Sequence, residues 1–111
     1  MLFYEFNVGA DTYKLRLNTR NIVVLEKSLG CNPLLIFGNG DRIPTVTEMV
    51  TVLNAALQQY QHNMNIETAY SIFDKFIEEG NSATDFINVI LEIYKVSGII
   101  KADGGNEVKN A

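Results

Sequence analysis

Cysteine and histidine are scarce in this sequence, which has one of each among its 111 residues, Cys31 and His62. A single cysteine cannot form an internal disulfide, which fits a reducing cytoplasm. A zinc site needs about three or four protein ligands, more than this pair supplies. The carboxylate nearest to His62 in sequence is Glu67, so we interpret His62 as a solvated loop residue and Cys31 as structural or incidental. We therefore expect no metal and no cofactor.

Clustered positive charge is also lacking. No two of the nine Lys and Arg residues are adjacent, the 13 Asp and Glu residues outnumber them, and the net charge is −4. Nucleic acids require a clustered basic footprint, and an anionic membrane surface attracts the same kind of cluster. Neither is therefore an expected partner.

Long apolar runs are missing as well, and we expect no signal peptide. No run approaches the about 20 apolar residues that cross a bilayer, and the start, MLFYEFNVG, lacks the basic segment and cleavage site of a signal peptide. The 47% hydrophobic and 20% charged residues are typical of a folded globular chain. We expect one soluble intracellular domain over residues 1–100. Residues 101–111, KADGGNEVKNA, have no apolar periodicity and are predicted to be a disordered tail.

The beginning of the chain alternates apolar and polar residues, which is the period of a β-strand with one buried face. Two alternating runs flank a short loop at residues 9–11, so we predict a β-hairpin over residues 2–17. Its apolar face consists of Leu2, Tyr4, Phe6, Val8, Tyr13, Leu15 and Leu17. A lone hairpin is marginally stable in water, so this face should pack against the rest of the chain.

Helical periodicity and capping residues occupy most of the chain after the hairpin. Predicted helices cover residues 19–29, 33–37, 45–60, 66–79 and 82–99. The clearest start is Thr45 with Glu48, a capping box, and residues 38–44 form the clearest loop. In the helix over 66–79 the predicted core face is Ala69, Ile72, Phe73, Phe76 and Ile77. The fold class is therefore α+β, mostly α, with the N-terminal hairpin packed on a bundle of about four helices.

No catalytic arrangement is evident. The loop Gly38-Asn39-Gly40-Asp41 lacks the Lys-Ser/Thr ending of a phosphate-binding loop. The carboxylates of residues 74, 78 and 79 fit the solvated face of an amphipathic helix better than an acid–base pair. We expect a protein without enzymatic activity.

The segment Ser82–Ile100 is apolar around most of its circumference, so it must be covered on more than one side. Phe86, Ile90 and Tyr94 mark its predicted core face. A flanking row at i, i+7 and i+11 is either packed under the hairpin or open to a partner. We predict partner binding at these residues, which are Val89, Val96 and Ile100.

Two stretches carry a resemblance to a known family. Residues 13–34 follow the pattern YxLRLxTRxxxxLEKxLGxNPL, and residues 44–60 follow PTxxExxxxLxAALQxY. In the order and spacing of these patterns the chain resembles the tail assembly chaperones of long-tailed, siphovirus-type phages and Gram-positive prophages. The resemblance covers about residues 3–100.

The resemblance implies a non-enzymatic role in the bacterial host cytoplasm. Such a chaperone binds the tape measure protein, keeps it soluble and assists the tail tube protein in polymerising around it, and it is absent from the mature virion. A longer form made by translational frameshift is also common in the family. No catalytic, cofactor-binding or metal-binding residues follow from the resemblance.

Two other functions and the oligomeric state stay open at this point. The chain could be a structural tail or head–tail connector subunit that is retained in the virion, which mass spectrometry of purified particles would detect. It could also be a small host-directed regulatory protein, which would cause a phenotype when expressed alone. The sequence leaves a homo-oligomer open, because an uncovered strand edge invites pairing with a neighbour.

Overall fold

The computed structural model describes residues 2–102, in which an N-terminal hairpin precedes a set of helices. The strands are β1 (Tyr4–Val8) and β2 (Asp11–Leu15). The α-helices are α1 (Thr19–Leu29), α2 (Val46–Leu57), α3 (Ile66–Glu78) and α4 (Phe86–Val96), with short 3-10 helices at Pro33–Phe37 and Ala83–Asp85. The predicted class, a hairpin packed on a mostly helical bundle, is confirmed. Of the predicted tail, residues 103–111 lie outside the described residues.

The hairpin has the predicted alternation. β1 and β2 pair antiparallel, with Tyr4 opposite Leu15 and Phe6 opposite Tyr13. Phe6, Val8 and Leu15 are buried, because alternate side chains of a strand point to the same face. That face packs against the helices, since β1 contacts α3 and α4 and β2 contacts α2.

Helix α2 is the centre of the bundle and packs against α1, α3, α4 and β2. It begins with the predicted capping box: the Glu48 amide donates to Thr45 Oγ1 at 3.0 Å, and the Thr45 amide donates to Glu48 Oε1 at 2.8 Å. More than half of its residues are buried. They are Met49, Val50, Val52, Leu53, Ala55, Ala56 and Leu57. A helix buried around so much of its surface needs neighbours on several sides, and the fold provides them.

The end of α2 differs from the predicted helix over 45–60. The helix stops at Leu57, and the carbonyl groups of its last turn accept partly from side chains and partly from the amides of Gln58 and Arg16, which donate to Ala55 and Ala56. Gln58 Nε2 donates to the carbonyl oxygens of Asn54 and Met64, at 2.9 and 3.2 Å. Tyr60, predicted on the helix, instead packs edge-on against Phe3 with ring centroids 5.3 Å apart. Hydrogen bonds from polar side chains therefore accompany the early end of the helix.

The predicted helix over 82–99 is also divided. Ser82 and Asp85 form a capping box over a 3-10 turn, and α4 runs from Phe86 to Val96. At the other end Gly98 has φ +79. The amide of Ile99 donates to the Tyr94 carbonyl at 2.9 Å, and the amide of Gly98 donates to the Lys95 carbonyl at 3.2 Å. These two bonds form a Schellman motif, which ends a helix at a left-handed residue.

Replacement of Gly98 by alanine is expected to lower the free energy of unfolding by about 1–2 kcal/mol, because an L-residue with a Cβ is strained in the left-handed conformation. Gly98→Asn is the matched control, since asparagine tolerates this conformation better. Urea unfolding followed by circular dichroism measures both. Equal losses for alanine and asparagine would contradict the explanation from backbone strain.

The core is organised around α4. The Phe86 ring lies 5.8, 5.2 and 5.5 Å from the rings of Phe6, Phe73 and Phe76, so one aromatic residue joins β1, α3 and α4. Tyr94, fully buried on the same helix, donates its hydroxyl to the Pro33 carbonyl at 3.0 Å. Helix α4 therefore contacts both the hairpin and the first 3-10 helix.

Candidate partner-binding groove

The three residues predicted to bind a partner do not share one environment. Val89 is only 6% exposed and belongs to the core, whereas Val96 and Ile100 are half-buried. Of the two alternatives for this flank, packed or open to a partner, Val89 therefore takes the packed one. Binding at Val96 and Ile100 stays a prediction.

Exposed apolar surface occurs elsewhere in residues 2–102. Large apolar side chains with more than a third of their surface exposed lie on α1, the first 3-10 helix, the loop before α2, and the helices α2 and α3. They are Val23, Val24, Leu34, Leu35, Ile43, Val46, Tyr70 and Ile77, together with Leu2 at the N-terminus. Ile77, predicted in the core face of α3, is 37% exposed, while the other members of that predicted face are buried.

Two of these side chains line a groove between α2 and α3. The groove has a volume of about 310 Å³. Val50 and Phe73 are buried and form its floor, while Val46 and Tyr70 are 51% and 47% exposed and stand at its sides. Thr47 and Asp74 complete the lining. An open apolar depression with few polar groups is the usual form of a binding site for an apolar side chain or ligand.

Helical spacing explains why these residues meet. Val46 and Val50 are four residues apart on α2, and Tyr70 and Phe73 are three apart on α3, so each pair lies on one side of its helix. Ile77 continues the row on α3 one turn beyond Phe73. The sequence contained this signal, since Tyr70, Phe73 and Ile77 follow i, i+3 and i+7. The sequence did not reveal how α2 packs beside α3, and this packing leaves the Tyr70 side chain partly exposed.

The N-terminus of α2, which carries Val46, is held by an ion pair. Arg42 Nη1 donates to Glu48 Oε1 at 2.8 Å and to the Ile36 carbonyl at 2.6 Å. Partial burial opposes ionisation of Glu48, but hydrogen bonds from Arg42 and from Thr45 outweigh it and lower the pKa of this carboxyl. The hydrogen bond to Glu48 raises the pKa of Arg42. This clamp joins the loop, the first 3-10 helix and α2, and so positions one side of the groove.

A second depression lies between α1, α2 and the start of α3, with a volume of about 480 Å³. Val24, Ala55, Met64 and Ile66 contribute apolar surface, and the other six of its ten lining residues are polar in type. The polar members are Asn21, Ser28, Thr51, Asn54, Gln58 and Asn65. Several of their groups already bond within the fold, for example the Asn65 carboxamide that caps α3. Four of the six residues lining the groove between α2 and α3 are apolar or aromatic, against four of ten here, so by residue type that groove is the better candidate for apolar recognition.

Of the residues considered for chemistry, Asp74 lies in the lining of this groove, whereas His62 and Cys31 do not. His62 is exposed in the connection after α2, and Cys31 is a half-buried free thiol. Within residues 2–102 no three His, Cys, Asp or Glu side chains are grouped closely enough to hold a metal ion. In the same part of the chain, no helix has the length and hydropathy needed to cross a membrane.

The fold and the groove define a small α+β protein, mostly helical, with an open groove between α2 and α3. By sequence the chain belongs to the family described as "Family of unknown function (DUF6096)", whose match covers residues 5–110. No curated protein and no solved structure matches the chain.

Proposed function

We propose that this protein is a non-enzymatic tail assembly chaperone of a long-tailed phage or prophage. In this role it binds the tape measure protein in the bacterial host cytoplasm, keeps it soluble while tail tube protein polymerises around it, and leaves before the virion is complete. The observation that carries the proposal is the open apolar groove between α2 and α3. The sequence patterns at residues 13–34 and 44–60 support it independently.

The dimensions of the groove suit side chains of a helix lying across it. A volume of about 310 Å³ accommodates a few apolar side chains, and helix-in-groove complexes use such anchors at i, i+3, i+4 and i+7. A tape measure protein is long and helical, and its apolar faces promote aggregation until they are covered. Val46, Tyr70 and Ile77 would cover one such face without any change in the core.

Charge supports the same interpretation. Asp74 lies at the rim of the groove, and the chain as a whole carries a net charge of −4. A net charge of one sign keeps a chaperone soluble while its apolar groove is open. It also favours partner helices that carry Lys or Arg beside their apolar anchors.

The test is co-expression of the full chain with the tape measure protein encoded near it, measuring the soluble fraction of the latter. We expect the wild-type chain to bring it into solution. A double variant, Val46→Asp with Tyr70→Asp, should lower the soluble fraction about tenfold or more, because each replacement puts a charge against an apolar anchor of the partner. Both positions are about half exposed, so the fold should be retained.

The matched control is Val24→Asp with Leu35→Asp, two apolar residues of similar exposure, 52% and 54%, outside the lining of the groove. This control should solubilise the tape measure protein as the wild type does. A tape measure protein that stays insoluble beside the wild-type chain would refute the proposed function. Equal losses of soluble tape measure protein with the groove variant and the control variant would refute the groove as the binding site. Detection of this chain in purified virions would favour a structural subunit.

A further inference from the structure

The two edges of the hairpin differ in how far the rest of the molecule covers them with hydrogen bonds. On the outer edge of β2, the Gln61 carboxamide bonds to both backbone groups of Lys14: the Lys14 amide donates to Gln61 Oε1 at 2.7 Å, and Gln61 Nε2 donates to the Lys14 carbonyl at 3.0 Å. The Arg16 amide, next along this edge, donates to the Ala56 carbonyl at 3.2 Å. The outer edge of β2 is therefore covered at Lys14 and Arg16.

The outer edge of β1 is open over most of its length. Glu5 lies opposite Lys14. Since the Lys14 backbone groups point away from β1, this is a non-hydrogen-bonded pair, and the amide and carbonyl of Glu5 point away from β2. The same alternation turns Phe3 and Asn7 outward. Within residues 2–102 no hydrogen bond reaches the outward backbone groups of these three residues.

At the turn the open edge is closed by Glu79, the residue directly after α3. Gly9, the next outward residue after Asn7, donates its amide to the Glu79 carboxylate. The N-terminal end has no such cover, and Leu2 is 65% exposed there. Unpaired strand edges bind other strands readily, and here the accessible part runs from Leu2 to Glu5.

We propose that this edge of β1 pairs antiparallel with the same edge of a second copy of the chain, about a two-fold axis beside Tyr4. The pairing joins the two hairpins into one continuous sheet and uses a surface separate from the groove between α2 and α3. In this register Phe3 of each copy exchanges backbone bonds with Glu5 of the other, which makes about four hydrogen bonds.

A second copy fits because an antiparallel edge is complementary to itself under two-fold symmetry. Charge favours the register centred on Tyr4. Lys14 Nζ lies 5.1 Å from the centre of the Phe3 ring. With Phe3 opposite Glu5 of the second copy, the carboxylate of each chain lies near the ammonium group of the other. A shift that centres the pairing on Glu5 would instead place two carboxylates directly opposite each other, which is destabilising.

Apolar side chains support the same register on the opposite face. Leu2 shares this face with Tyr4 and the buried Phe6, because the three residues alternate along the strand. Pairing places Leu2 beside Phe6 of the second copy and the two half-buried Tyr4 side chains beside each other. The strand contact is short, so the interface falls in the small, transient class and the dimer should form at about 0.1–1 mM protein.

Disulfide trapping tests the pairing and its register in a Cys31→Ser background. Tyr4→Cys should cross-link to its own copy under oxidised glutathione, because directly opposed non-hydrogen-bonded residues have Cα atoms about 4.5 Å apart, within the range of a disulfide. Glu5→Cys is the matched control. Its two Cα atoms would lie about 8 Å apart, too far for a disulfide, and it should stay uncross-linked.

Sedimentation equilibrium of the uncross-linked chain provides a second measurement. The wild type should approach twice its mass of 12.4 kDa at high concentration. Glu5→Pro removes an outward amide without removing a bond of the hairpin, so it should stay monomeric. Glu5→Gln keeps that amide and should still dimerise. Circular dichroism checks that both variants are folded.

Three results would overturn the proposal. Cross-linking through Glu5→Cys in place of Tyr4→Cys would assign another register. Dimerisation of a folded Glu5→Pro variant would show that the dimer interface lies on a surface other than the β1 edge. A wild-type chain that stays monomeric at about 1 mM would exclude a second copy as the partner of this edge. The edge would then be a binding site for an extended segment of another protein. None of these results depends on binding of the tape measure protein.

Discussion

Phe86→Ala is expected to lower the free energy of unfolding by about 3–5 kcal/mol, the usual range for removing a buried phenylalanine ring. Phe86 is fully buried, and its ring contacts those of Phe6, Phe73 and Phe76. The substitution would leave a cavity among three elements that are far apart in sequence. Since small domains have only about 5–15 kcal/mol of stability in total, the variant should be close to unfolding at room temperature.

Phe3→Ala is the matched control, because it removes the same atoms from a half-exposed position. Phe3 contacts Tyr60 and lies under Lys14, but solvent already reaches it. Its loss should cost about 1 kcal/mol, less than burial of a full side chain contributes. Urea unfolding measured by circular dichroism gives both values. Similar losses at the two positions would contradict a core centred on Phe86.

The second large effect is a loss of stability at alkaline pH that depends on Tyr94. Burial raises the pKa of Tyr94 far above its usual range, and the negative charges of Cys31 and Glu48 add to the effect. The ionised form is the disfavoured one, so the folded state keeps the phenolic proton at a pH where the unfolded chain, with an ordinary pKa near about 10, has lost it.

The direction follows from proton binding in the two states. Above about pH 10 the unfolded chain binds fewer protons than the folded chain, so rising pH favours unfolding. One such group lowers the free energy of unfolding by about 1.4 kcal/mol per pH unit until the folded state also ionises. Burial also raises the pKa of Tyr4 and Tyr13, helped by Glu92 and Asp11 respectively, so these tyrosines add to the slope.

The variant Tyr94→Phe separates the contribution of Tyr94 to the loss of stability at alkaline pH from the contributions of Tyr4 and Tyr13. At pH 7 the variant should be about 1–2 kcal/mol less stable, because it loses the hydrogen bond to the Pro33 carbonyl. Above about pH 10 its stability should fall less steeply than that of the wild type, by about 1.4 kcal/mol per pH unit, with Tyr4 and Tyr13 responsible for what remains. Chemical unfolding between pH 8 and pH 12 measures the slopes. Parallel slopes for the two proteins would show that Tyr94 ionises normally in the folded state.

Local patterns were enough to predict the elements of this protein. The helix over 19–29 and the 3-10 segment over 33–37 have the predicted bounds, because Asn18 and Asn32 cap their first turns and glycines come directly after their last residues. The capping box at Thr45 and Glu48 is present as predicted. Caps and turns depend on residues within about four positions of one another, so a sequence pattern contains the necessary information.

Helix ends that depend on distant contacts were not predicted correctly. Helix α2 stops at Leu57, where the Arg16 amide donates to the Ala56 carbonyl and Tyr60 packs against Phe3. Similarly, Gln61 is an ordinary loop residue by sequence, yet its carboxamide covers the edge of β2 across 47 positions of the chain. Such contacts form only when the hairpin and the helices are packed together.

The sequence by itself determined the hairpin, the helices and the capping residues, since these depend on short-range periodicity and hydrogen bonding. It also indicated that α4 needed cover on more than one side. Only the tertiary structure decided which apolar residues stay open. Val89 is buried because α2 and β1 cover α4, whereas Val46 and Tyr70 stay exposed because α2 and α3 leave a groove between them. Burial depends on how helices approach each other, and the period of one helix cannot specify the position of another.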